Sequence, residues 1–199
     1  MRRIPFAIVV SAMLLSSGRA SAADKQIRLY LGGTFRGDTT FVNFDDAARK
    51  PHLVVGASAV TLGDMFGVDV DFGDAPGFFQ AGSPSLVLSS RVTTLTGNVV
   101  FAAPRRLTEY TLRPYVLAGA GLMRARFDDY FGAFKVASVL PGWDVGAGAI
   151  GFLTNDVGVS WELRRFQSLA RTSDQRGLTI GGDERLSFWR ASVALAIRY

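Results

Sequence analysis

The sequence predicts an all-β chain folded as an eight-stranded antiparallel up-and-down transmembrane β-barrel. Three observations predict it: segments that alternate with a period of two, connections that alternate long and short, and an export signal with no membrane-spanning helix after it. The alternation is clearest in the last dozen residues, FWRASVALAIRY. There Trp189, Ala191, Val193, Leu195, Ile197 and Tyr199 share one face, and Arg190, Ser192, Ala194, Ala196 and Arg198 the other.

Residues 1–22 carry the basic pair Arg2 and Arg3, an apolar run over residues 4–15, and the small-residue site Ala20-Ser21-Ala22. This reads as a secretory signal cleaved after Ala22, leaving 23–199 as one barrel domain. The apolar run falls short of the roughly 20 residues a spanning helix needs. Losing the leader removes Arg2, Arg3 and Arg19 and no acid, so the formal charge drops from +5 to +2, 19 basic against 17 acidic residues. That balance gives no basis for a nucleic-acid partner. The absence of cysteine excludes disulfides, thiolate metal sites, a cysteine nucleophile and a lipidated N-terminal cysteine.

In chain order, the first strand covers about 27–35, with Ile27, Leu29, Leu31 and Phe35 opposite Arg28, Tyr30, Gly32 and Thr34. A polar loop, 36–51, follows. The second strand, about 53–62, turns at Gly63-Asp64, a glycine-first pair that suits a two-residue hairpin. The third, about 65–72, sets Phe66, Val68, Val70 and Phe72 against Gly67, Asp69 and Asp71. After a loop over 73–88 comes a fourth strand, about 92–102, whose two faces are poorly distinguished. A turn with Pro104, Arg105 and Arg106 leads to the fifth, 113–127, and a loop over 128–142 to the sixth, 143–152. Asn155-Asp156 makes a short turn into the seventh, 157–164, where Val157, Val159, Trp161 and Leu163 oppose Gly158, Ser160, Glu162 and Arg164. A loop over 165–187 returns the chain to the last strand.

An even strand count places both termini at one end, and in membrane barrels the short turns share that end, the periplasmic one. The faces opposite the apolar rows carry Arg28, Asp69, Asp71, Asp144, Glu162, Arg164, Arg190 and Arg198, too many charges for the core of a soluble barrel. Turned inward, they fill a lumen only wide enough for side chains. Opposite charges there must pair, so Asp69, Asp71, Asp144, Glu162, Arg164 and Arg190 are expected to form an internal network, with Glu162 and Arg190 or Arg164 at its core and Asp144, Arg164 and Arg190 near its outer end. Arg28 and Arg198, neighbours of like charge, either join the lumen or reach water at the rims.

Pro114-Tyr115-Val116 followed by Gly119-Ala120-Gly121, together with a chain that ends on an aromatic in its closing strand, resembles the small bacterial outer-membrane β-barrel family of opacity proteins and the OmpA membrane domain. The resemblance spans essentially the whole mature chain. It implies an outer-membrane location in a Gram-negative cell, small residues making room inside a narrow barrel, and a C-terminal strand read by the outer-membrane assembly machinery. It also implies a non-enzymatic, cofactor-free, monomeric barrel with a structural or adhesion-like role through its surface loops. The alternative role is a narrow transport or sensing barrel for a small hydrophobic molecule.

Candidate chemistry is sparse. Some eight-stranded barrels modify lipid A, which needs a histidine beside a serine or carboxylate. His52, the sole histidine, lies at a loop end before Leu53, Val54 and Val55, and reads as an ordinary loop residue. Asp69, Asp71 and Asp74 depart from the calcium-loop spacing, so lumen residues followed by a loop acid is the better reading. Trp143, Trp189 and Tyr199 fall near strand ends, where amphipathic rings favour the membrane interface. Arg49, Lys50, Arg124, Arg126, Lys135, Arg165 and Arg171 gather at the outer end. They suit either the phosphates of outer-membrane lipopolysaccharide or plain solvated charge.

Overall fold

The computed structural model describes residues 24–39, 50–78, 87–104, 108, 112–129, 135–169 and 185–199. Its strands are β1 (Asp24–Thr39), β2 (His52–Leu62), β3 (Phe66–Pro76), β4 (Val87–Ala102), β5 (Arg113–Asp129), β6 (Lys135–Phe152), β7 (Val157–Ser168) and β8 (Leu186–Arg198). Each pairs antiparallel with the next, and β8 pairs with β1, so the sheet closes into a barrel. Closure satisfies the backbone polar groups between strands, the condition for crossing lipid.

The registers fix the stagger of the ring. From Ile27 the paired residues run through Ala59, Val70, Gly97, Ala120, Trp143, Gln167 and Ser187, and return to β1 at Asp38, eleven residues further on. One of the eleven belongs to a bulge between Phe35 and Asp38, where Arg36 takes a φ of 51°. A net stagger of ten over eight strands tilts them within the usual ~35–45° from the barrel axis.

Outward-facing Leu31, Val68, Val99, Val116, Trp161 and Val193 are each more than half exposed. A continuous belt of this kind is stable against hydrocarbon and a liability in water. Inside, Arg28, Asp69, Asp71, Asp144, Arg164 and Arg190 are buried. The alternation read in the first, third, seventh and last segments therefore faces lipid with its apolar row and the axis with its charges.

Several boundaries differ from the sequence reading. β6 begins at Lys135 where a loop to residue 142 was expected, and the connection before it shrinks to 130–134. β1, β3, β4 and β7 also extend at the end away from the termini. In β6 and β7 inward Leu140 and Phe166 are apolar too, so the period-two signal fades there; in β1, β3 and β4 the inward residues of the extensions, Thr39, Ala75 and Ser90, are small or polar and give little contrast. The connection 103–112 is longer than expected for a turn. The Gly63 hairpin spans three residues, 63–65, with the Gly63 amide donating to the Phe66 carbonyl at 2.8 Å. His52 opens β2 and does not lie in the loop. The sequence-based leader, 1–22, and most of the long connections fall outside the described residues.

Candidate functional site in the barrel lumen

The lumen is built in three layers, each set by which inward residues a given height supplies. At the end that holds the termini, Arg198 donates to Asp24 through Nε (2.5 Å) and Nη2 (2.8 Å), and its guanidinium lies 3.7 Å from the Phe152 ring centre. Arg113 reaches across the same end to the carbonyls of Gly63 (3.1 Å), Asp64 (2.6 Å) and Ala103 (2.9 Å), tying two turns together. Sequence reading missed this role, although an arginine at an inward strand start beside two turns is the available signal.

The middle layer is ionic. Arg164 donates from Nη2 to Asp69 (2.8 Å) and Glu162 (3.0 Å), from Nη1 to Asp144 (3.3 Å), and from Nε to the other Glu162 oxygen. Arg190 grips Asp71 bidentately at 2.9 and 3.0 Å, donates to the Tyr30 hydroxyl at 2.6 Å, and is sandwiched by the Tyr30 and Phe166 rings. Such a planar fork suits arginine and not lysine. Arg28 donates to the Tyr115 hydroxyl (3.0 Å), which in turn donates to Glu162 (2.9 Å), extending the network towards the termini.

Arg164 and Arg190 are direct register partners on β7 and β8, a like-charge juxtaposition that is destabilising by itself. The protein resolves it with anions: Asp71 and Glu162 lie within 4 Å of both. All six residues expected in the network are thus brought together, with Arg164 as hub. Its level differs from the expectation: because β6 and β7 continue past them, Asp144, Arg164 and Arg190 sit mid-lumen, not at the outer end. Arg28 is buried in the lumen and Arg198 sits at the rim with Asp24.

Glycine is required where the network is tightest. A Cβ on Gly119 would come within 2.0 Å of the Asn98 side-chain oxygen and 2.2 Å of the Gly97 carbonyl. Asn98 lies over this gap while donating to Asp69 at 3.1 Å. Ala120 of the same Gly-Ala-Gly run faces outward, so it does not make room inside.

Above the charges lies an apolar layer of Val54, Val92, Met123, Leu140, Phe166 and Phe188, closed by Phe78 against Phe188 at 5.3 Å. His52 packs its ring on Phe78 at 5.4 Å. The sequence reading missed this layer, whose signal is paired apolar neighbours such as Leu122-Met123 and Val139-Leu140. The cavity left beside the ionic layer, lined by Arg28, Tyr30, Ser58, Asp71, Glu162 and Arg164 among others, has a volume of about 10 Å³, room for one water.

A family model described as an outer membrane protein beta-barrel domain matches residues 7–193. The chain belongs to this family. It is therefore an outer-membrane β-barrel, and solved structures agree on the fold. Neisserial surface protein A aligns with a TM-score of 0.61 at 14% identity, covering 89% of this chain and 99% of that one. The outer membrane protein OprG from Pseudomonas aeruginosa gives 0.58 at 10%, covering 89% and 96%. The attachment invasion locus protein Ail of Yersinia pestis, solved with the heparin analogue sucrose octasulfate, gives 0.51 at 16%, covering 88% and 99%. No curated protein sequence matches the chain.

Within this outer-membrane barrel the remaining sequence candidates are placed as follows. Trp143 and Trp189 face outward and are half-buried, Trp189 beneath the Arg165 guanidinium at 5.8 Å, while Tyr199 is exposed at the opposite end. Lys50, Arg124, Arg126 and Arg165 are exposed. Lys135 starts β6, with nothing described of its side chain, and Arg49 and Arg171 lie outside the described residues. Asp74 faces away from Asp69 and Asp71, accepting from Thr93 at 2.9 Å and lying 3.6 Å from Arg91. The three aspartates therefore do not converge on one point.

Proposed function

We propose that this barrel is a closed, non-enzymatic anchor whose role is surface interaction, adhesion-like, through the connections at its outer end. The observation that carries the reading is the double closure of the lumen. Among the described residues, an ionic layer and an apolar layer fill the axis, and the cavity beside the ionic layer has a volume of about 10 Å³, too small for a solute. Function then has to reside on the outside of the barrel or in the connections 40–51, 77–86, 130–134 and 169–185. Such a barrel works as a monomer, and its C-terminal strand, exposed Tyr199 included, is the segment offered to the assembly machinery.

The test compares the intact protein with a variant whose 40–51 and 169–185 connections are replaced by short turns, both displayed on cells and assayed for attachment to host-type surfaces. Attachment lost in the shortened barrel, with its folding retained, supports the reading. Equal attachment by both rejects it.

A second reading rests on one feature, the apolar outer layer. Val92, Met123, Leu140 and Phe166 would accept a small hydrophobic molecule if the rings of Phe78 and Phe188 moved apart. Uptake of a hydrophobic tracer into protein-bearing vesicles, compared with empty ones, separates the two.

A further inference from the structure

On the outer surface of β5 the side chains change abruptly from Ala118, Ala120 and Leu122 to Arg124 and Arg126, all exposed. On β4 the outward row likewise reaches exposed Arg91. Arg91 and Arg126 are direct register partners, and Thr93, two residues from Arg91, partners Arg124. Three guanidiniums thus share one patch just beyond the apolar belt. Asp74, 3.6 Å from Arg91, is the one acid paired with them among the described residues, so the described side chains of the patch sum to a net charge of +2.

The same juxtaposition of arginines inside the barrel, Arg164 with Arg190, is held by four surrounding acids. Outside, the described residues offer a single half-buried carboxylate to three cations. Directly opposed like charges destabilise a sheet, so this arrangement is stable when an anion bridges the guanidiniums, and arginine forks match phosphate oxygens best.

Depth identifies the anion. With the termini on the periplasmic side, as in barrels of this kind, the patch lies at the outer headgroup level, one outward position above Leu122. Below it the wall is hollowed: outward Gly97 partners outward Ala120, and a Cβ on Gly97 would meet nothing within 4 Å. A bulky headgroup phosphate above and an acyl chain in the shallow trough below fit this relief.

We infer that the β4–β5 exterior is a binding site for a phosphorylated, acylated glycolipid of the outer leaflet, with Arg91, Arg124 and Arg126 on its phosphate and Gly97 and Ala120 beneath its acyl chain. This site is independent of what the loops contact.

The probe is hexa-acylated lipid A bisphosphate, added to the refolded protein in neutral detergent and followed by native mass spectrometry. Saturable one-to-one binding is expected, weakened at least tenfold by Arg91→Ser/Arg124→Ser/Arg126→Ser. Gly97→Leu, whose Cβ meets nothing within 4 Å, should fill the trough and weaken it less but measurably, and Lys25→Ser, at the opposite end of the barrel, should leave it unchanged. Heat-modifiable gel mobility verifies that each variant is folded. Equal binding by the triple-serine variant overturns the proposal. So does equal binding of dephosphorylated lipid A or of phosphatidylglycerol, which would make the patch indifferent to phosphate or to the glycolipid.

Discussion

Replacing Arg164 by methionine tests the lumen directly, because it keeps the volume and removes the hub. The guanidinium is 1% exposed and contacts Asp69, Glu162 and Asp144 at 2.8 to 3.3 Å. Among the described residues Asp144 has no other cation within salt-bridge distance. Breaking a buried pair on one side costs about 3–5 kcal/mol. At about 2–4 °C per kcal/mol for a chain of this size, the transition should fall by roughly 6–20 °C. Heat-modifiable gel mobility in detergent, measured over a temperature series, reads it. Adding Asp69→Asn and Asp144→Asn to Arg164→Met should recover more than half the loss, since the uncompensated charges go with the cation. Arg198→Met provides the contrast: its side chain is 34% exposed and it pairs with one carboxylate, Asp24, so its loss should lower the transition by less than that of Arg164. If Arg164→Met melts within about 2 °C of the parent, which is less than 1 kcal/mol, the ionic layer is not what holds the interior.

Glu162→Ala should lower the same transition, by less than Arg164→Met, because Asp69, Asp71 and Asp144 still surround the arginine; an unchanged transition would remove the network from the stability account. Gly119→Ala should refold poorly or not at all, as judged by the folded gel band, while Gly97→Ala should stay within about 0.5 kcal/mol of the parent. Phe166→Ala should cost about 3–5 kcal/mol as a cavity mutant, read by urea unfolding. Planar-bilayer recordings of the parent should show no porin-sized conductance; discrete large steps would contradict the two-layer closure.

Much of this architecture is legible in the sequence because water, hydrocarbon and a narrow polar interior impose different side chains on alternate residues. Trp161-Glu162-Leu163-Arg164 could scarcely be read another way. The pattern fails where the two environments demand the same chemistry. In the outer third both lumen and lipid accept apolar groups, so Val139-Leu140 carries no period and reads as loop. In β4 the converse holds: Thr93 faces out and Thr94 and Thr96 face in, which erases the contrast. Arg91 escaped notice for a related reason. It lies before residue 92, where the sequence pattern begins the strand, and only the register brings it opposite Arg126. Pairing across strands is the information one sequence lacks.

The buried charges also bear on why this chain adopts one register. A strand slipped by a single residue turns every inward side chain to the outside. For β1, β7 and β8 that would place Arg28, Arg164 and Arg190 against hydrocarbon, at about 2–4 kcal/mol for each arginine near the midplane. An interior of neutral small residues would impose no such penalty. It would satisfy a barrel of this width equally well in several registers. Neutralising the layer in matched pairs, for instance Asp71→Asn with Arg190→Gln, should therefore leave the folded barrel near its original stability yet slow its folding and broaden its products. Refolding into lipid vesicles followed by gel mobility measures both. A matched pair that refolds at the parent's rate into one species would show that register is set by the outer apolar rows alone.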